Sequence, residues 1–174
     1  MHTKDAIKFA LAVSNGAVLS VIDEMSAAAT TFPTPNGGCH PLWVLGHLTL
    51  VEGSIPAILL GETNPAADWQ QYFGENSEPV ADARAYPPFA EIREKYLQLR
   101  EQNLKLLESL SEEDLDKPTK APPNGREREF STYGQSFLVL ALHQTMHRSH
   151  VTDAKRAAGR GAHAKSAAAT AQHS

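Results

Sequence analysis

Residues 142–150 read LHQTMHRSH and place His143 and His147 four positions apart. Apolar residues around them recur at three- and four-residue steps, from Leu140 to Val151, and this period predicts a helix. Side chains four positions apart share one helix face at a separation of about 6 Å, which is close enough for two imidazoles to bind one metal ion. The segment is therefore predicted to be a helix that carries a pair of metal ligands.

A third imidazole lies on an earlier predicted helix. The segment WVLGHLTLVEG, residues 43–53, places His47 on an apolar stripe that points inward. Several buried imidazoles are costly unless their donors and acceptors are satisfied, and a shared metal ion takes one nitrogen from each ring. We therefore expect His47, His143 and His147 to hold a divalent metal. The alternative is a plain helical bundle in which these histidines are core residues.

Two further histidines lie close to these positions in the sequence. His150 stands three residues after His147, so that this pair is an alternative set of ligands. Along a helix axis His150 would be about 10.5 Å from His143, which disfavours a compact site that contains both. We expect His150 to support a ligand or to form a pocket wall. His40, immediately before Pro41, is expected near the surface at the start of a helix.

The composition of the chain limits its function. A chain of 174 residues with 41% apolar residues can bury one core, so we expect a single domain over residues 1–160. The Ala- and Ser-rich residues 161–174 are expected to form a flexible tail. A net charge of −4 argues against a nucleic-acid partner. Because Cys39 is the only cysteine, a metal site would use nitrogen and oxygen ligands.

No membrane partner is expected from the hydropathy pattern. The N-terminal residues indicate an amphipathic helix rather than a secretion signal. No apolar run approaches the roughly 18 residues of a membrane span. The sequence therefore favours a cytoplasmic protein.

Four segments have the length and period of helices. Pro41 is well placed as a first helical residue, and Pro56 is expected to kink the helix that contains it. Thr132 and Gln135 have the spacing of a capping box, and Gly159 is a candidate C-terminal cap. The predicted helices cover residues 3–28, 41–60, 89–110 and a last segment that begins after Thr132 and ends at Gly159.

Residues 61–88 contain prolines and glycines and have no clear period, which predicts a long crossover with about one turn of helix. Loops of this length are uncommon and are often functional, so the crossover is expected to help cover a site. Four helices with one long crossover predict an all-α four-helix bundle, with the crossover between the second and third helices. Metal sites in such bundles are commonly built from facing helices in the core.

Three other residues lie on or beside the apolar stripes and could have roles of their own. Asn103 lies on the buried stripe of the third helix, where it could be hydrogen-bonded in the core, set the register of the helices or face a cavity. Trp43, one turn before His47, could be a core residue or a platform for a substrate. Glu52, five residues after His47, is expected to be solvated or to support a ligand.

The segments HPLWVLGHL (residues 40–48) and LALHQTMHRSHVTDAKRAAGR (residues 140–160) together resemble the DinB/YfiT-like superfamily of metal-dependent enzymes, which is distinct from the similarly named DNA polymerase. The resemblance covers nearly the whole chain, including Trp69 in the crossover. It implies an up-up-down-down four-helix bundle and frequently a homodimer. It also implies a divalent metal held by His47, His143 and His147. The family commonly has Gly and Gln where this chain has Ser149 and His150, so the pocket wall is expected to differ.

Three imidazoles leave at least one coordination position open, as in catalytic metal sites. Zinc or nickel suits an all-nitrogen ligand set, and iron or manganese remains an alternative. The resemblance implies thiol-dependent transferases and isomerases, in which a low-molecular-weight thiol attacks an electrophile, and also hydrolase-like members. We therefore expect a metalloenzyme with S-transferase-like or hydrolase-like chemistry on a small molecule, and His150, Asn103 and Trp43 are candidates for its pocket or for supporting its ligands. The alternative is a non-catalytic metal-binding or stress-related interaction protein.

Overall fold

The computed structural model describes residues 2–25, 30–31 and 38–171, the side chains of residues 160–171 excepted. Every regular element in these ranges is helical, which confirms the all-α prediction. Four helices are long, and a single-turn helix lies between the second and third of them. Their bounds are Thr3–Met25 (α1), Pro41–Leu60 (α2), Gln70–Phe73 (α3), Phe89–Ser109 (α4) and Tyr133–Ala171 (α5).

Helices α1 and α5 run in the same direction. Ser14 Oγ donates to Gln144 Oε1 at 2.7 Å, and further along both helices Lys155 pairs with Glu24. Helix α4 runs against α1. Lys8 at the start of α1 pairs with Glu108 at the end of α4.

Two apolar clusters fix the direction of α2. One cluster joins the first half of α2 to the first half of α4 and to the middle of α5. The other joins the end of α2 to the end of α4 and the start of α5. Examples are Leu48, Tyr96 and Val151 in the first cluster and Leu59, Leu107 and Phe137 in the second. Helix α2 is therefore parallel to α4 and antiparallel to α1 and α5.

The order of directions is up-down-down-up, so the up-up-down-down order predicted from the family resemblance is wrong. The physical reason lies in the connections. Residues 61–88 carry the chain along the whole bundle and make α2 and α4 parallel neighbours. By contrast, α2 begins at the end of the bundle where α1 ends, and α5 begins at the end where α4 ends. The predicted crossover is confirmed, and it contains α3 and two short 3-10 turns, at Ala67–Trp69 and Ala83–Ala85.

The ends of the helices follow the predicted caps at most positions. Thr132 Oγ1 accepts from Gln135 N at 3.3 Å, while Gln135 Oε1 accepts from Thr132 N at 3.2 Å, which confirms the capping box. Gly61 ends α2 with a φ of 74°. The predicted cap at Gly159 is wrong because α5 continues to Ala171; alanine, the strongest helix former, is frequent there and offsets the cost of glycine.

Two predicted segments extend beyond the described residues. The last residues predicted for the first helix, 26–28, lie outside them, and so do the last three residues of the predicted tail. The flexibility of the tail and the single domain over residues 1–160 stay predictions.

Helices α1 and α2 are long and apolar enough to cross a membrane by length and composition alone, so the expectation that no apolar run approaches the length of a membrane span is wrong. In α2, however, 78% of the relevant window is buried inside the protein, as is 33% of that in α1. The core helix of a soluble protein passes the same test. The mean hydropathy of these helices is thus weak evidence about a membrane.

A buried polar network connects the four long helices. One oxygen of the fully buried Glu52 carboxylate accepts from Arg100 Nη1 at 2.9 Å and from Gln144 Nε2 at 2.7 Å. Its other oxygen accepts from Asn103 Nδ2 at 2.7 Å. Gln144 extends the network to α1 through Ser14.

The network shows where the side chain of Glu52 lies. The expectation that this side chain is solvated is therefore wrong. Five residues turn a helix by about 140° beyond a full circle, so Glu52 points away from His47 and toward α4. Burial raises the pKa of Glu52, and the guanidinium of Arg100 opposes that shift. Because the groups bonded to its oxygens are all donors, the side chain acts as a carboxylate.

Candidate metal centre

The antiparallel packing of α2 against α5 brings together the three histidines that the sequence singles out. His47 Nε2 lies 3.3 Å from His143 Nε2, and His147 Nε2 lies 3.0 Å from the same atom. The ligand atoms of the three residues all lie within 4.8 Å of one another. Each histidine thus directs its Nε2 atom at one common point, and the group could hold a metal ion.

The distances fit a shared metal ion. Nitrogens bound at 2.0–2.1 Å in a tetrahedral site stand about 3.3 Å from one another. Hydrogen bonds alone do not account for both short N–N distances, because a single N–H at His143 Nε2 can point to only one of the two neighbouring nitrogens. The Nδ1 atoms of His143 and His147 are buried without a hydrogen-bond partner among the described residues, and an ion at the common point would leave them so. A cation at the common point would use all three Nε2 lone pairs.

His47 is held by the crossover. Its Nδ1 donates to the backbone oxygen of Phe73 at 2.8 Å, which leaves Nε2 as the unprotonated nitrogen. The ring of Phe73 packs against Gly46, where a β-carbon would lie 2.3 Å from it. On its other side His47 stacks on Trp43, with ring centres 4.8 Å apart and an angle of 9°. Trp43 is buried, which confirms the core alternative, and a role as a platform for a substrate stays a prediction.

Burial keeps the three imidazoles neutral. It lowers the pKa of His47, lowers that of His143 to about 4 and lowers that of His147 to about 2. The neighbouring imidazoles add to the effect at His143 and His147, because two charged rings so close together would repel each other. The neutral ring is the form that binds a metal ion, so the site is ready for one at pH 7.

His150 and His40 do not join the common point. The ring of His150 lies edge-on to that of His147 at 5.0 Å, and its Nδ1 is buried without a hydrogen-bond partner among the described residues. His40 caps α2, since its Nδ1 accepts from Trp43 N at 3.1 Å. It is only 2% exposed, so the expectation that it lies near the surface is wrong. Its Nε2 contacts the oxygen of Val80 across the crossover at 2.9 Å, which explains its burial.

Asn103 takes the first of its three predicted roles. It is 2% exposed and is hydrogen-bonded in the core to Glu52. It is one of the residues that hold α4 against α2, and its contacts are with the network rather than with the histidines.

A cavity of about 40 Å³ adjoins His47 and His143. An open groove of about 310 Å³ lies beside it, and the two spaces share the lining residues His47, Val51, Ser54 and Glu75. The walls of the cavity are mainly apolar, while its charged groups are Glu75, from the crossover, and Arg126, from the loop before α5. Examples of the apolar wall are Val51, Ile55, Phe130 and Leu140.

Sequence reasoning missed Glu75 and Arg126. Both lie in segments without a regular period, and the charges of the second segment resemble an ordinary solvated loop, so nothing in the sequence marks either residue. Glu52 did have a signal, because it is the one charged residue of the otherwise apolar segment 41–60. A lone charge in such a helix indicates a buried partner.

A family model of the DinB superfamily matches residues 10–151, which include the three histidines, the crossover and most of the bundle. The chain belongs to the DinB superfamily. This match confirms the resemblance seen in the two histidine-containing segments. A search of curated proteins gives no match. Membership of the DinB superfamily and the cluster of three histidines are both compatible with metal binding.

Proposed function

We propose that this DinB-superfamily protein is a metal-dependent enzyme that acts on a small molecule, with His47, His143 and His147 as the ligands. One observation carries the proposal: three neutral imidazoles converge at a point beside a cavity. An ion held only by these side chains keeps at least one position for a substrate. Zinc and nickel suit the three nitrogens best, with iron and manganese as alternatives.

The reaction that we propose is the transfer of a low-molecular-weight thiol to an electrophile. When bound, the ion would act as a Lewis acid and would lower the pKa of a coordinated thiol or water. In the transfer, a sulfur–carbon bond forms, the leaving group departs with the electrons of the broken bond, and the thiol proton passes to solvent. In hydrolase-like chemistry, the alternative within this class, water takes the place of the thiol.

The protein's own residues position the ring of His47 and exclude water from the space next to His143. The Phe73 carbonyl fixes the tautomer of His47, and Trp43 covers the face of its ring. The apolar wall formed by Val51, Ile55 and Leu140 borders the space next to His143. Such a wall favours a small, partly apolar substrate.

The alternative proposal is a non-catalytic metal-binding or stress-related interaction protein, in which the ion mainly connects α2 and α5. The buried network around Glu52 already joins these helices, through Gln144, without a metal. An ion that only connects the two helices also does not account for the cavity beside the histidines. Both observations favour the catalytic proposal.

We further propose that the protein is a cytoplasmic homodimer without nucleic-acid or membrane partners. Support for a dimer comes from an apolar surface on α1 and α5. Phe9 is 67% exposed, Leu142 is 69% exposed and Met146 is 51% exposed. Such adjacent apolar side chains are typical of interfaces.

The proposal is tested with protein purified without an affinity tag. We expect one equivalent of divalent metal and thiol-dependent consumption of an electrophile such as 1-chloro-2,4-dinitrobenzene. His147→Ala should lose both, whereas His2→Ala, a change at an exposed residue, should keep both. Full turnover in a preparation verified to be metal-free would refute the proposal.

A further inference from the structure

Two opposite charges flank the cavity beside the histidines. Glu75 belongs to the crossover, two residues after the Phe73 carbonyl that holds His47. Arg126 belongs to the loop before α5 and lines the same cavity on the side of His143. Both side chains line this cavity together with His47 and His143. The cavity therefore has an acidic side and a basic side.

Arg126 is held in place by its own loop. Its Nε and Nη2 atoms donate to Glu129 Oε2 at 2.9 and 2.7 Å, and its guanidinium lies 5.0 Å from the ring centre of Phe130. These contacts fix the plane of the guanidinium and use two of its three nitrogens. A guanidinium with a fixed plane and a remaining donor edge suits a carboxylate.

Glu75 has a different setting. It is exposed and lines both the cavity and the open groove, next to the polar side chains of Asn64, Gln70 and Asn76. A group that binds there would keep contact with solvent. An ammonium group suits such a position, because it is strongly hydrated and donates hydrogen bonds in three directions.

We propose that the site accepts a thiol that also carries a carboxylate and an ammonium group, with Arg126 binding the carboxylate and Glu75 the ammonium. The inference rests on the proposed function, since the sulfur is assigned to the ion at the three histidines. An anionic thiol without an ammonium group would meet the charge of Glu75 unbalanced. A cationic thiol without a carboxylate would leave the remaining donor edge of Arg126, beside its pair with Glu129, without an acceptor. A zwitterion satisfies both sides.

The test uses the cobalt(II)-loaded protein and follows the sulfur-to-cobalt absorption during titration with three thiols. L-cysteine carries both charged groups, 3-mercaptopropionate lacks the ammonium, and cysteamine lacks the carboxylate. Arg126→Gln should weaken L-cysteine and 3-mercaptopropionate by about tenfold each and leave cysteamine unchanged. Glu75→Gln should weaken L-cysteine and cysteamine and leave 3-mercaptopropionate unchanged.

Matched controls are Arg128→Gln and Glu78→Gln, two exposed residues near the same positions. Neither should change the binding of any of the three thiols. Because L-cysteine also chelates free cobalt, the affinities are compared between variants, and cobalt retention is measured in each sample.

The outcomes separate the two proposals. If the protein fails to bind cobalt stoichiometrically, the proposed function fails. If cobalt binds but Arg126→Gln and Glu75→Gln leave the three affinities as they are in the wild type, the metal site stands and the zwitterion inference is overturned. Equal losses in the control variants would overturn it too.

Discussion

Asn103 completes the hydrogen bonding of Glu52 twice, because its Nδ2 group donates to carboxylate Oε2 at 2.7 Å and to the backbone oxygen at 2.9 Å. That backbone oxygen has no helical donor, since the residue four positions later is Pro56, which lacks an N–H. A proline in α2 and an amide in α4 therefore form a complementary pair. Helix α2 continues past Pro56 to Leu60, and the kink predicted at Pro56 stays a prediction.

Replacement of Asn103 should destabilise the protein strongly. Asn103→Ala leaves a buried carboxylate oxygen and a buried carbonyl without this donor, and each unsatisfied group costs about 1–3 kcal/mol. We expect the free energy of unfolding, measured with urea, to fall by about 3 kcal/mol. Asn124→Ala, at an exposed loop position, is the control and should stay within about 0.5 kcal/mol of the wild type.

Pro56→Ala should partly rescue that variant. The restored N–H of residue 56 can donate to the Glu52 oxygen, so the double variant should recover about 1 kcal/mol relative to Asn103→Ala alone. Additive effects of the two substitutions would show that the backbone oxygen of Glu52 is not what links them.

Loss of any one of the three clustered histidines should abolish tight metal binding. Two imidazoles cannot enclose an ion as three do, and we expect the affinity for zinc, measured by competition with a chelator, to fall by at least about 100-fold. His150→Ala should change the affinity by less than about tenfold, because its ring lies beside His147 and outside the common point. A 100-fold loss in His150→Ala with little loss in His143→Ala would favour the alternative ligand pair.

Gly46 should be required for the orientation of His47. In Gly46→Ala the new methyl group would meet the ring of Phe73 at 2.3 Å, and the displaced residue would carry away the carbonyl that holds His47 Nδ1. We expect about tenfold weaker zinc binding. Gly16→Ala is the matched control: no atom lies within 4 Å of the added methyl group, and the change should stabilise α1 by up to about 1 kcal/mol. Unchanged zinc affinity in Gly46→Ala would show that Phe73 does not position His47.

The helices and the candidate ligands could be predicted because they depend on local patterns. The four-residue step from His143 to His147 and the capping pair Thr132–Gln135 are properties of neighbouring residues. The position of His47 on an apolar stripe also needed only its own helix. When the apolar faces of α2 and α5 pack together, they bring these three histidines into contact.

The direction of the helices and the charged groups of the cavity could not be predicted in this way. The length of residues 61–88 predicts a crossover, but its path along the bundle depends on contacts such as that between Asn64 and Leu50, which join distant parts of the chain. The same is true of Arg126, which reaches the cavity only because its loop folds back beside α2. No local period encodes these contacts.

The exposed apolar surface of α1 and α5 should mediate self-association. Phe9 and Leu142 are the most exposed large apolar residues named on it, and Phe9→Glu with Leu142→Glu would place charges at its centre. We expect sedimentation velocity to show a dimer for the wild type and a monomer for the double variant. Leu104→Glu, at a 39% exposed residue of α4, is the control and should remain dimeric. A monomeric wild type at all concentrations tested would contradict the proposed dimer.

The metal-free protein should lose stability as the pH falls from about 6.5 to about 4. In the folded state burial lowers the pKa of His143 to about 4, whereas the unfolded chain protonates this residue near its ordinary pKa of about 6.5. Between these values the unfolded state binds more protons than the folded state, so the free energy of unfolding rises with pH across this window and levels off above it. At about 1.4 kcal/mol per pKa unit, His143 alone should account for about 1–2 kcal/mol between pH 7 and pH 5, with His47 and His147 contributing in the same direction. Urea unfolding at a series of pH values, with His143→Gln as the comparison, measures the effect. A stability that is flat between pH 7 and pH 5, or equally steep in His143→Gln, would contradict the burial of a neutral imidazole at this position.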